Sequence, residues 1–146
     1  MSVSKLFTFL TWTLILAVDS MTAQNIAAVS DKVVGVYWSP KKDAKISIYK
    51  KGNVYFGKSI WVANPRKDTK NPEQRLQSRE LLGIELLSGF IYDDGSYING
   101  TIYDPESGNT YKCKMTIEGN KLKVRGYIGI SLFGRTELFE RINTKG

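Results

Sequence analysis

The chain has 146 residues, 42% of them apolar and 24% charged, a globular composition that fits a single domain. It holds no histidine and one cysteine, which excludes Ser-His-Asp and Cys-His catalysis, a histidine metal site and an intrachain disulfide. Basic residues exceed acidic ones to a net charge of +7, and no residue pattern names a substrate or reaction.

At the N-terminus, Lys5 precedes an apolar run over residues 6–18, and small and polar residues follow from Asp19 to Ala23. Basic lead, apolar core and small-residue boundary are the pattern of a secretory signal peptide, with cleavage expected after Ala23. The run is too short to cross a bilayer, for which about 20 apolar residues are needed. The expected divisions are a signal peptide over 1–23, a flexible mature N-terminus over 24–30 and one domain over 31–146, exported to the periplasm or beyond. Cleavage removes one base and one acid, Lys5 and Asp19, so the domain keeps its positive charge.

From there the pattern is strand after strand. Val33 to Ser39, Ala44 to Lys50 and Val54 to Val62 are rich in β-branched and aromatic residues, with Lys51-Gly52-Asn53 as a tight turn. Five more strands are predicted at Leu82 to Tyr92, Tyr97 to Tyr103, Thr110 to Glu118, Lys121 to Ile128 and Thr136 to Ile142. Turn-forming clusters separate them. Between the third and fourth, Ala63 to Glu80 reads as a long irregular loop with room for a short helix, a length more often functional or mobile than ordinary.

Alternation is cleanest in the sixth and seventh strands. Tyr111, Cys113, Met115 and Ile117, then Leu122, Val124, Gly126 and Ile128, fall on one side, and Lys112, Lys114, Lys121, Lys123 and Arg125 on the other. Cys113 is thereby predicted to be a small buried hydrophobe. No helix-length segment separates the strands, so a parallel sheet is implausible. The fold class expected is all-β, an eight-stranded antiparallel up-and-down barrel, because short links set sequential strands side by side and closure removes exposed edges.

Several strings together resemble a known family: Asn71-Pro72, Leu82-Gly83-Ile84, Ile102 to Gly108, Thr110 to Cys113 and, most specifically, Arg125-Gly126-Tyr127-Ile128-Gly129-Ile130-Ser131-Leu132-Phe133-Gly134-Arg135-Thr136. They are similar to the secreted bacterial family called domain of unknown function 2147. The resemblance covers about Asp31 to Ile142 and implies a calycin-type, lipocalin-like barrel in an exported location, with no established activity. Such barrels often carry Gly-x-Trp near the first strand beneath an arginine from the last. Here Gly35 is followed by Tyr37 and then Trp38, and Arg141 is the candidate arginine. Either Tyr37 takes the tryptophan's place in a cation–π contact, or the plug is built differently.

Asp104-Pro105-Glu106-Ser107-Gly108 holds two carboxylates but lacks a calcium-loop pattern, and reads as a turn. Asp68 and Asn71, ahead of Pro72, are candidates for an Asx turn or for the barrel mouth. Gly126 is expected on the inward face, where a leucine would overpack. Glu85 and Glu137 are the acids a carboxylate hydrolase would need, but nothing in the sequence brings them together, and strand carboxylates usually face water. Asn99-Gly100-Thr101 is treated as a chance glycosylation match.

The expectation is a non-enzymatic barrel, without metal or cofactor, that binds an apolar or amphipathic small molecule or a lipid. Trp61, Asn71, Tyr103 and Tyr127 are the residues expected at its mouth. The alternative is an envelope structural or interaction module whose barrel is filled by its own aromatic side chains. Nucleic acid is not expected as a partner, since lysines alternating with apolar residues make a solvated strand face. Anionic lipid headgroups or cell-surface polyanions are the plausible counterparts of the charge. The sequence carries no signal of oligomeric state.

Overall fold

The computed structural model describes residues 21–143. The apolar run at 6–18 lies outside the described residues. Residues 21–30, expected as a flexible lead-in, are helical. A separate compact unit begins at Val33 and contains all the strands.

Those strands are β1 (Gly35–Trp38), β2 (Ala44–Lys51), β3 (Val54–Val62), β4 (Glu85–Asp93), β5 (Ser96–Asp104), β6 (Asn109–Glu118), β7 (Lys121–Tyr127) and β8 (Gly134–Arg141). Each pairs antiparallel with the next and β8 pairs with β1, so the sheet closes into an up-and-down barrel. The eight segments are those expected from periodicity. β4 starts three residues later than predicted, because Gly83 takes a left-handed φ of 89° and turns the chain at the strand's threshold.

The connections alternate in length around the barrel. At one end the hairpins β2–β3, β4–β5 and β6–β7 are two residues long; at the other lie residues 39–43, 63–84, 105–108 and 128–133. The short-turn end is packed shut. Tyr37, Tyr55, Phe90, Tyr97, Met115 and Leu122 are all at most 1% exposed, with Tyr55 and Tyr97 edge to face at 5.2 Å. Arg141 completes it. Its guanidinium lies 4.8 Å from the Tyr37 ring centroid, donates to the Tyr37 hydroxyl and gives Val34 O a 3.0 Å hydrogen bond. Gly35 leaves room for it, since a Cβ there would stand 2.5 Å from Arg141 Nη1. Tyr37 therefore occupies the place expected for tryptophan, and Trp38 points outward.

The inward residues of β6 and β7 follow the alternation through Cys113, Met115, Leu122 and Val124. Burial pushes the Cys113 thiol up to about 12. Ile128 departs from the expected inward row: β7 ends at Tyr127, so the period no longer binds the next residue, and Ile128 is 74% exposed.

Two inward glycines differ in what surrounds them. A Cβ on Gly100 would lie 2.4 Å from the Phe90 ring, which rests flat on the backbone there. A Cβ on Gly126 would meet Ile102 Cγ2 at 3.4 Å and Tyr111 Cβ at 3.7 Å, ordinary contacts, and beyond them is open cavity. The overpacking expected at Gly126 is thus corrected. Gly100→Ala should lower stability by about 1–3 kcal/mol through displacement of Phe90, whereas Gly126→Ala should leave the urea midpoint nearly unchanged; equilibrium denaturation of both variants checks this.

Candidate functional site

The half of the barrel nearer the long loops is hollow. A cavity of about 1150 Å³ opens between those loops, and its apolar wall includes Ile46, Leu87, Ile102, Val124 and Phe139. On β8 the alternation sets Arg135, Glu137, Phe139 and Arg141 on the inner side, two residues apart, with Arg135 at the rim and its side chain 85% exposed. Glu137 sits opposite Val124 on β7, and its Oε1 holds Arg135 Nε at 2.6 Å. An ion pair therefore stands at the outer edge of the apolar part of the wall, with Arg135 toward the mouth and Phe139 toward the floor. Sequence reasoning passed over this pair, although the alternation that buries Phe139 already puts Glu137 on the inner face. Glu85 faces outward, where Tyr49 Oη donates to Oε2 at 2.8 Å and Ser88 Oγ to Oε1 at 2.9 Å, so the two acids do not meet.

Of the four residues expected at the mouth, Trp61 lies elsewhere. Strict alternation along β3 would carry it inward with Tyr55, Gly57 and Ser59, but a bulge against Lys45 and Ile46 inserts an extra residue. Val62 takes the inward place and lines the cavity. Trp61 stacks on the outer wall against Trp38, edge to face at 5.6 Å, with Lys45 Nζ 4.7 Å from the Trp38 ring. Asn71 is buried in the long loop rather than in the cavity wall. Tyr103 and Tyr127 border the cavity, but the Tyr103 hydroxyl is engaged outside it.

That engagement is the anchor of the long loop. Asp68, 1% exposed, accepts from Tyr103 Oη at 2.5 Å, Asn71 Nδ2 at 2.8 Å and Arg79 Nε at 2.9 Å. Asn71 Oδ1 in turn accepts from Glu73 N at 2.8 Å across Pro72, the expected Asx turn. The loop carries a short 3-10 helix, Gln74–Leu76. Its two arms pair through Lys67 and Glu80, and Ser59 binds its far end at Gly83 N. Next to it Asp104 caps its own turn, accepting from Glu106 N and Ser107 Oγ, while Gly108 passes so close to Lys70 O that a Cβ would reach 1.9 Å. Pro105 and Gly108 thus belong to a turn, and no cluster of metal-ligating side chains occurs among the described residues. The 63–84 segment is a pinned wall of the mouth.

Burial alone would raise the Asp68 carboxyl, but hydrogen bonds from Tyr103, Asn71 and Arg79 and the guanidinium charge outweigh it and hold it below the usual carboxylate value. A depressed carboxyl contributes stability at neutral pH, and that contribution is lost as pH falls below about 4. Asp68→Ala should cost about 2–3 kcal/mol, because Tyr103 and Asn71 lose a charged acceptor in a buried setting. The variant should also show a flatter acid limb in its stability–pH profile than the parent, as measured by urea unfolding between pH 3 and 7.

The fourth loop, 128–133, is built differently. Arg125, on the outer face of β7, donates from Nε to Ser131 O at 2.6 Å, from Nη2 to Leu132 O at 3.1 Å and from Nη1 to Thr136 Oγ1 at 2.8 Å. Gly134 closes the loop against the neighbouring strand, where a Cβ would sit 2.6 Å from Gly126 O. The long string that carries the family resemblance is therefore a loop with its own internal clamp.

A closed eight-stranded up-and-down barrel, shut at the short-turn end and hollow beneath four longer loops, is the lipocalin-like architecture. A solved structure with this fold is protein HP1028 from Helicobacter pylori, described as belonging to the lipocalin family, at a TM-score of 0.71 and 20% identity over 78% of this chain and 85% of that one. No curated protein matches the chain. The family model for the uncharacterized protein conserved in bacteria, DUF2147, matches residues 35–141, and the chain belongs to that family.

Proposed function

We propose that this protein is an exported, non-enzymatic carrier that holds an amphipathic small molecule or lipid in its barrel. One observation carries the reading: the cavity of about 1150 Å³ is large enough for a lipid-sized ligand and has an apolar inner wall, with charged side chains, the Arg135–Glu137 and Arg66–Glu106 pairs among them, gathered near its mouth. In this arrangement the ligand's apolar portion lies along Ile46, Leu87 and Phe139, and its polar end meets Arg135 and Glu137. The pair orients the ligand because a polar group left unpaired in that wall would cost free energy. The alternative of a self-filled barrel is favoured only for the floor, where the tyrosines and Phe90 leave no space.

Export is supported by the N-terminal pattern at residues 1–23 and predicts a mature chain beginning at Gln24. N-terminal sequencing of the extracytoplasmic protein checks it, and an intact Met1 would overturn it. For the carrier reading, native mass spectrometry of protein taken from that compartment should show a non-covalent adduct. Palmitate or lysophosphatidylethanolamine should raise the melting temperature of the parent chain, and Gly126→Leu, which puts a branched side chain into the cavity, should reduce the rise. Trp61 emission should stay unmoved, because that ring lies outside the barrel. Absence of an adduct together with an unmoved melting temperature would sink the carrier reading.

A further inference from the structure

The 128–133 loop exposes four apolar side chains within six residues: Ile128, Leu132 and Phe133 are each 74% exposed and Ile130 59%. A patch of this kind costs free energy in water unless something covers it. The loop is nevertheless ordered in a way that keeps these side chains outward. Arg125 satisfies the carbonyls of Ser131 and Leu132, and Phe133 N donates to Ile130 O at 3.2 Å. With those backbone groups satisfied from within, the tip can leave water without stranding their hydrogen-bonding capacity.

The surroundings specify what covers it. Around the barrel β8 is followed by β1, so the next loop of the rim is 39–43, which carries Lys41, exposed and without an ion pair among the described residues, and Lys42, which pairs with Glu140. Arg135, with its side chain 85% exposed, stands at the foot of the apolar loop. Of the rim charges, Asp43 accepts from Ser39 Oγ and Asp104 caps its turn, while Glu106 pairs with Arg66, Glu137 with Arg135 and Glu140 with Lys42. The chain as a whole carries +7. An apolar tip flanked by basic side chains on a cationic body is complementary to an anionic lipid bilayer, with the tip among the upper acyl chains and the lysines at the headgroups. We infer that the 128–133 loop is a membrane-insertion loop that seats the barrel mouth on an anionic lipid surface. Because Ile128, Leu132 and Phe133 also border the cavity, insertion places the mouth against the bilayer. The inference does not rest on the carrier reading.

The test uses the full chain with Ile130→Trp and vesicles of phosphatidylcholine containing phosphatidylglycerol, with and without bromine on the acyl chains. Bromine quenching at position 130, over the baseline set by Trp12, Trp38 and Trp61 of the parent, reports loop depth whatever else holds the chain to the vesicle. Acyl-chain bromine should quench the added tryptophan, phosphatidylcholine alone should give at least about tenfold weaker binding, and adding Leu132→Asp and Phe133→Asp should abolish the quenching with the melting temperature retained. No quenching above the parent's baseline overturns the proposal. So does light scattering that shows a dimer in the parent and a monomer in the double-aspartate variant, with no quenching, since the loop would then cover a second copy.

Discussion

The barrel depends on closing one short seam. β1 is four residues long and meets β8 in two registered pairs, Tyr37 with Arg141 and Trp38 with Glu140. So little main-chain pairing would leave two strand edges liable to part. Arg141 compensates by reaching across the seam: it lies over the Tyr37 ring, bonds its hydroxyl and takes the Val34 carbonyl. The tyrosine in place of the expected tryptophan is a substitution of mechanism as well as of shape, because its hydroxyl adds a hydrogen bond and itself donates to Val33 O at 2.9 Å. Everything above the seam inherits a fixed floor.

With the floor full, space can exist only at the other end. Large aromatic residues occupy the inward positions near the tight turns, while toward the long loops the inward positions carry Ala44, Val62 and Gly126. Small side chains at these positions leave the upper barrel incompletely filled, and a cavity results. The Arg135–Glu137 pair is tolerated beside that wall because Glu137, the more buried member, is paired and both lie near the mouth, where water reduces the cost of burial.

Two of the four rim segments are held by buried or clamped polar groups of opposite sign. The Asp68 carboxylate gathers the long loop from within, and the Arg125 guanidinium gathers the 128–133 loop from its outer side. In each case one charged group collects several hydrogen-bond partners, the Arg79 guanidinium among those of Asp68, which holds an irregular segment in place. The consequence differs by loop: the first is a wall with buried polar residues, the second presents its apolar side chains to the outside.

Periodicity and turn chemistry in the chain alone determined the eight strands, their sequential antiparallel order and closure, because a two-residue repeat broken by short polar turns leaves few ways to bury one face. They also determined the burial of Cys113 and the turn at Asp104 to Gly108, whose residues act on their own neighbours. What required the folded molecule was every feature set by a break in the period or by a distant partner. A bulge in β3 turned Trp61 outward and Val62 inward, and a bulge leaves no mark in local composition. Asn71 is buried in the loop, and Tyr103, which does border the cavity, turns its hydroxyl to Asp68, more than thirty positions away, an attachment that exists only in three dimensions. The charge on Glu137 argues for water, while the alternation it shares with Phe139 argues for the inner face; which of the two prevails is settled by pairing across the sheet, and so by the tertiary structure.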